Sequence, residues 1–196
     1  MSRTLDKLSP TITNMIRMDH THAMLLFHQF EAGTSSKQKR ALVTTTCLAL
    51  EIHAQLEEEI FYPALRAVTG SSPALAKSVP EHDEMRRLIA KLRRMETTDS
   101  AYDETFMELM RDVLHHVADE ETVLLPQAER QLAGQLNSLG AQMTKRRLQL
   151  VAPKAGEIAA NTARSFPATS MVVAAGALIA GSMLFKRGAN PEQASQ

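Results

Sequence analysis

The sequence lacks tryptophan altogether and has only two tyrosines and six phenylalanines. The aromatic supply that strands draw on is therefore thin. Leu, Ala, Met, Glu, Gln, Lys and Arg dominate, and these are good helix formers, so an all-α protein is expected. A single cysteine, Cys47, excludes any disulfide within the chain and reads as a small core residue. Lys plus Arg and Asp plus Glu number 22 each, so neither sign of charge is in excess. A concentrated basic surface for nucleic acid is absent, and no nucleic-acid partner is expected. The first residues, Met1-Ser-Arg-Thr-Leu-Asp-Lys7, are too polar for an export signal.

Apolar spacing and breakers mark four long helices: about Thr11 to Glu31, Ser36 to Val68 before Gly70, a third within Pro73 to Met95, and about Ala101 to Leu132. The third has two possible openings, Ser72-Pro73 and Ser78-Val79-Pro80. Short connections between four such helices predict an antiparallel up-down-up-down four-helix bundle over 11–133. Residues 1–10 form a leader, 134–152 an amphipathic helical extension, 153–167 a linker marked by Pro153, Gly156 and Pro167, and 186–196 a polar tail. Between linker and tail, Ser165 to Phe185 carries no charge over 21 residues. At about 1.5 Å per residue it would span roughly 30 Å of hydrocarbon. A single transmembrane helix is expected over 168–185, anchoring the bundle to the inner or plasma membrane on the cytoplasmic side; the alternative is a soluble cytoplasmic protein. Gly176 with Ala180, and Ala177 with Gly181, offer small-residue pairs for self-association of that helix.

The chain echoes itself. His53-x3-Glu57-Glu58-x4-Pro63 and His116-x3-Glu120-Glu121-x4-Pro126 share the pattern H-x3-E-E-x4-P, 63 residues apart. The prolines should kink or end a regular turn just past each motif. At roughly 100° per residue, each helix aims one histidine into its own apolar stripe: His20, His53, His82 and His116. Glu57 and Glu120, four residues after a histidine, share that inward face. One such histidine is ordinarily a hydrogen-bonded core residue. Four with two inward carboxylates make a poorly satisfied polar core unless they bind metal. Imidazole and carboxylate suit iron, manganese or zinc. Six donors exceed one tetrahedral zinc and suit two metals about 3.5–4 Å apart. A ferritin-like site would need Glu-x-x-His twice; that motif is absent, and Asp112-x-x-His115 is the nearest approach.

These features, with Asp19-His20 and Glu81-His82, resemble the hemerythrin-like, or HHE cation-binding, family over roughly residues 10 to 150. The resemblance implies two non-haem iron ions, held by terminal histidines and bridged by two carboxylates. The implied metal ligands are His20, His53, Glu57, His82, His116 and Glu120. Hemerythrins usually supply a fifth histidine one turn along the third helix, where this chain has Arg86. His28 is a candidate for the edge of the site, His22 points nearly opposite His20 toward solvent, and His115 lies toward the surface. Asp19, Glu58, Glu81, Asp83 and Glu121 are candidates for hydrogen bonds to ligand imidazoles, against the ordinary alternative of solvated acids. Tyr62 either faces the site or caps the bundle.

The function expected is a di-iron protein that binds oxygen or nitric oxide as sensor, scavenger or carrier. The alternatives are a di-iron enzyme reducing nitric oxide or decomposing peroxide, and an iron donor for repair of other metal centres. No separate catalytic acid or base is identified.

Overall fold

The computed structural model describes residues 9–31 and 33–165. Helix α1 (Ile12–His28) starts where the Thr11 side chain accepts a hydrogen bond from the Asn14 N–H. Helix α2 (Ser36–Leu56) starts likewise, with Ser35 accepting from Gln38. Both side chains satisfy a backbone N–H that the helix itself leaves unpaired. Beyond Leu56 the chain passes through a π-helical turn, Glu57–Phe61, into α3 (Tyr62–Thr69). Gly70 then stops it at φ 69°, where a side chain would be strained. Of the two openings for the third long helix, Ser72-Pro73 is used: α4 (Pro73–Arg94) has Ser72 as its cap and runs on through Pro80. Helix α5 (Tyr102–Asp119), a second π turn (Glu120–Leu124) and α6 (Leu125–Gln131) follow.

The expected proline kinks are these π turns. Pro63 and Pro126 have no N–H, and each ring would collide with the carbonyl four residues back. The helix widens just before each: the Tyr62 N–H bonds to the Glu57 carbonyl, and the Leu125 N–H to the Glu120 carbonyl. Each widening begins at the inward carboxylate of a repeat, so sequence strain and site coincide.

Helix α4 packs along α5, and α1 along α2, as a bundle of short connections requires. The extension is helical, as expected, over α7 (Leu136–Val151), but it belongs to the body of the protein, lying along α1. The close approach is made by Gly140: a Cβ there would fall 2.0 Å from the Pro10 carbonyl oxygen. Gly140→Ala is expected to lower stability by ~1–3 kcal/mol, because the obstacle is backbone; denaturant unfolding reads this directly. Where a loosely structured linker was expected, Ala152–Lys154 form a 3₁₀ turn and Ala155–Ser165 form α8, which packs on α2.

The expected transmembrane helix requires correction. Among the described residues no helix is long and apolar enough to cross a membrane. The stretch 168–185, on which the membrane anchor and the self-association of the tail were based, lies outside the described residues. The architecture is thus an all-helical bundle with two further packed helices.

Two apolar clusters fill the bundle. One gathers Ile12, Ile16, Ile52, Leu56, Phe61, Leu65, Leu75 and Leu124 near one end. The other gathers Phe27, Val43, Leu50, Met85, Leu88, Ile89, Phe106 and Leu109. Cys47 lies in the second, its thiol pushed up to about 12 by burial, and is inert packing as the sequence implied. A belt of buried polar side chains lies between the two clusters.

Candidate metal centre

That belt contains the six residues singled out by the repeats. His20, His53, Glu57, His82, His116 and Glu120 are all buried, the two glutamates completely. Their donor atoms fall into two groups: His20, His53, Glu57 and Glu120, and Glu57, His82 and His116. Glu57 belongs to both. Glu120 lies 3.1 Å from His20 Nε2 and 3.5 Å from His116 Nε2, so it too stands between the halves. Nε2 of His82 and Nε2 of His116 are 3.1 Å apart.

Every one of the four imidazoles turns Nε2 inward because a carboxylate holds its Nδ1. Glu121 sits 2.7 Å from His20, Asp19 3.3 Å from His53, Glu58 2.8 Å from His82 and Glu81 2.8 Å from His116. The pattern is a ring: α1 supports α2, the turn after α2 supports α4, α4 supports α5, and the turn after α5 supports α1. Such partners fix the tautomer and raise the basicity of the inward nitrogen. Each carboxylate in turn faces a cation: Arg17 for Glu121, Arg147 for Asp19, Arg86 for Glu58 and Lys77 for Glu81.

Burial in this belt is expensive, and the acid–base state of the side chains records it. Burial and the neighbouring Glu120 push Glu57 well above its ordinary value. Burial acts the same way on Glu120, but the His20 hydrogen bond and the surrounding histidines hold it below its ordinary value. Burial would lower His20, yet Glu120 and Glu57 raise it to about 9. Burial drives His53 down to about 4 despite Asp19. Burial opposes ionisation of Asp19 as well; the Arg147 guanidinium and His53 overcome it and keep Asp19 well below the usual range.

The donor set fits a pair of cations. His53 Nε2 and Glu57 Oε1 are buried and have no hydrogen-bond partner, although each faces the belt. Left to themselves, two carboxylates and four imidazoles crowd one low-dielectric space with too few protons to satisfy them. Cations held by the two donor groups would satisfy them.

Tyr62 faces the site. Its hydroxyl lies 2.9 Å from Glu120, 3.2 Å from Glu57 and 3.4 Å from His82. Burial and the two carboxylates push the phenol well above its ordinary value, so it keeps its proton. In a regular helix Tyr62 would stand about 140° around from Glu57; the π turn narrows that separation. Tyr62 has no counterpart in the second repeat, where Leu125 stands in its place.

On the side of the second apolar cluster, a small cavity of about 20 Å³ reaches the four histidines. Its other walls include Ala23, Ala49, Leu50, Met85, Val113 and Val117. A water needs roughly 10–15 Å³ on the same measure, so the space suits one small molecule.

The remaining sequence candidates are disposed as follows. Of the five acids, Asp19, Glu58, Glu81 and Glu121 bond imidazoles, whereas Asp83 pairs with Arg86 at the surface. Arg86, at the position of the usual fifth histidine, reaches outward to Glu58 and Asp83. His28 and His115 are exposed. His22 requires correction: expected in solvent, it is only 6 % exposed, and its Nε2 has no partner. Helix α7 covers that side of α1, and Arg147 stands close enough to act on His22. Arg147 itself escaped notice inside the run Lys145-Arg146-Arg147. A helical wheel of α7 carries the signal, because Arg147 falls on the same stripe as the buried Gly140 and Met143.

Comparison with known proteins agrees with this geometry. Residues 11–128 match the family described as the hemerythrin HHE cation binding domain. A DNA nickase of Nostoc sp. is 27 % identical over 119 residues, 61 % of this chain and 34 % of the nickase. The chain thus spans about a third of that curated relative's length. Among solved structures, a hemerythrin HHE cation binding domain-containing protein of Mycobacterium kansasii superposes with a TM-score of 0.65. The two are 20 % identical, and the match covers 88 % of this chain and 99 % of the other, which establishes a shared fold.

Proposed function

Because the chain belongs to the hemerythrin HHE cation-binding family, we propose that it is a carboxylate-bridged di-iron protein that binds a small diatomic gas, oxygen or nitric oxide, as sensor, scavenger or carrier. In this reading His20 and His53 hold one iron, His82 and His116 hold the other, and Glu57 and Glu120 lie between both. When bound, the metal pair would supply two redox-active centres able to take up the gas. The observation that carries the reading is the inward set of four Nε2 atoms, each held by a carboxylate on Nδ1, around two fully buried glutamates.

The protein's own part is to bind, orient and exclude. The carboxylate ring orients all four imidazoles with Nε2 inward before any ion arrives, so little side-chain entropy is lost on binding. The small cavity beside the histidines, about 20 Å³ and walled by Ala23, Leu50, Met85 and Val113 together with Asp19, His22 and Arg147, has room for a diatomic and none for a larger organic molecule. Arg86 in place of a fifth histidine leaves one donor fewer on the His82–His116 side, which supports ligand binding there.

A second reading, an oxidoreductase acting on nitric oxide or peroxide, is favoured by Tyr62. A protonated phenol within hydrogen-bond distance of both glutamates is a fixed hydrogen-bond donor that a simple carrier does not need.

The full chain, purified without oxygen and supplied with ferrous iron, is expected to retain about two irons. A reversible change in its absorption spectrum on adding oxygen or nitric oxide, at one gas per site, supports the binding reading. Repeated consumption of nitric oxide or peroxide replaces it with the enzymatic one. His28→Ala is expected to hold as much iron as the parent protein, because His28 is exposed. A folded parent protein that takes up no iron would sink both readings.

A further inference from the structure

Three of the four cations that face the carboxylate ring come from the bundle and are a third to a half exposed: Arg17 at 34 %, Arg86 at 34 % and Lys77 at 47 % of their side-chain surface. The fourth, Arg147, is different. It is only 12 % exposed, and it comes from α7, beyond the residues that match the family. Its two terminal nitrogens grip Asp19 as a fork, Nη1 at 2.7 Å from Oδ1 and Nη2 at 2.5 Å from Oδ2. The same Oδ2 lies 3.3 Å from His53 Nδ1. A planar guanidinium on a carboxylate fixes the orientation of both, which a lysine at that place would not.

Exposed ion pairs contribute little, since water and salt screen them. Arg17, Arg86 and Lys77 are therefore dispensable trims to their carboxylates. Asp19 is the contrary case: largely enclosed beside a histidine, it is held in one orientation by the two-nitrogen grip of Arg147. Helix α7 is seated on α1 at two points along its length, by Gly140 against Pro10 and by Arg147 against Asp19. Arg147 is thus delivered to Asp19 by rigid structure.

We infer that Arg147 is a positioning residue for one half of the metal centre: through Asp19 it holds the His53 imidazole with Nε2 turned toward Glu57. The helix after the bundle is then part of the binding machinery for the His20–His53 metal, while the His82–His116 metal does not depend on it. This inference rests on the two-metal reading above.

The test uses the full chain loaded anaerobically with ferrous iron, and follows iron release to an excess of a ferrous chelator. In Arg147→Met, one of the two irons is expected to leave faster, on the order of tenfold, while the other leaves at the parent rate. Arg147→Lys, which keeps the charge and loses the fork, should fall between. Arg146→Ala, on the same helix, which breaks the exposed contacts of Arg146 with Glu59 and Gln149, should match the parent. Asp19→Asn should release the same single iron faster, and Asp19→Asn combined with Arg147→Met should be no faster than Asp19→Asn alone, because the arginine acts through the aspartate. The combined variant removes both buried charges, so it remains a usable folded protein where Arg147→Met is not. Parent-like release in Arg147→Met, equal acceleration of both irons, or the same acceleration in Arg146→Ala overturns the inference. A parent protein that binds no iron overturns the two-metal reading instead.

Discussion

Glu57→Gln is expected to abolish paired metal binding, leaving at most about one iron per chain, while making the metal-free protein more stable. The two halves of this result have one cause. Glu57 is completely buried, shares its space with Glu120, and has one oxygen without a hydrogen-bond partner. A carboxylate there is costly to the empty fold, and an amide of the same shape removes the cost. A carboxyl whose pKa is raised on folding costs stability at neutral pH, and a neutral amide removes that cost, so a gain of ~1–2 kcal/mol is expected. The amide cannot bridge two cations as a carboxylate does, so the gain in stability comes with loss of the site. Iron content by elemental analysis and unfolding of the metal-free protein measure the two halves. Full iron loading in Glu57→Gln would remove Glu57 from the ligand set.

Tyr62→Phe is expected to keep both irons but to change how the centre meets a ligand. The hydroxyl touches both glutamates and His82, so its loss frees the carboxylates to shift and leaves their outer lone pairs unsatisfied. Stability should fall by ~1–3 kcal/mol, the usual range for losing one partner of a buried polar group. If the protein is a gas carrier, Tyr62→Phe should bind oxygen or nitric oxide with altered affinity but equal stoichiometry. If it is an enzyme, turnover should fall by on the order of tenfold or more, the rate equivalent of losing a hydrogen bond to a charged group worth ~1.5 kcal/mol. The split between binding and turnover in this one variant separates the two readings. An unchanged spectrum, affinity and turnover would reduce Tyr62 to a packing residue.

Much of this was legible before any coordinates. The six inward residues follow from helical periodicity alone, because a histidine in an apolar stripe has nowhere to point but the core. The repeat H-x3-E-E-x4-P located both inner glutamates and warned of an irregular turn at Pro63 and Pro126. What periodicity could not handle was the departure from it. A π turn adds a residue to the winding, so a wheel drawn at constant pitch loses its phase there; Tyr62 was left between two roles for that reason. The acids beside the histidines were ambiguous for a different reason. Asp19 and Glu81 support histidines on other helices, not their own neighbours His20 and His82, and no spacing within one helix contains that information. His22 was misplaced because its burial is imposed by α7, a partner that lies far along the chain.

The sequence by itself determined the helical class and which four histidines and two glutamates face inward. Those are consequences of local propensity and of a period that one helix carries within itself. Only the tertiary structure decided which donors lie together, which carboxylate holds which imidazole, and that Arg147 on α7 faces Asp19. These depend on how separate helices are placed in space, and that placement is set by packing across the whole bundle, with no local signature for it to leave in the chain.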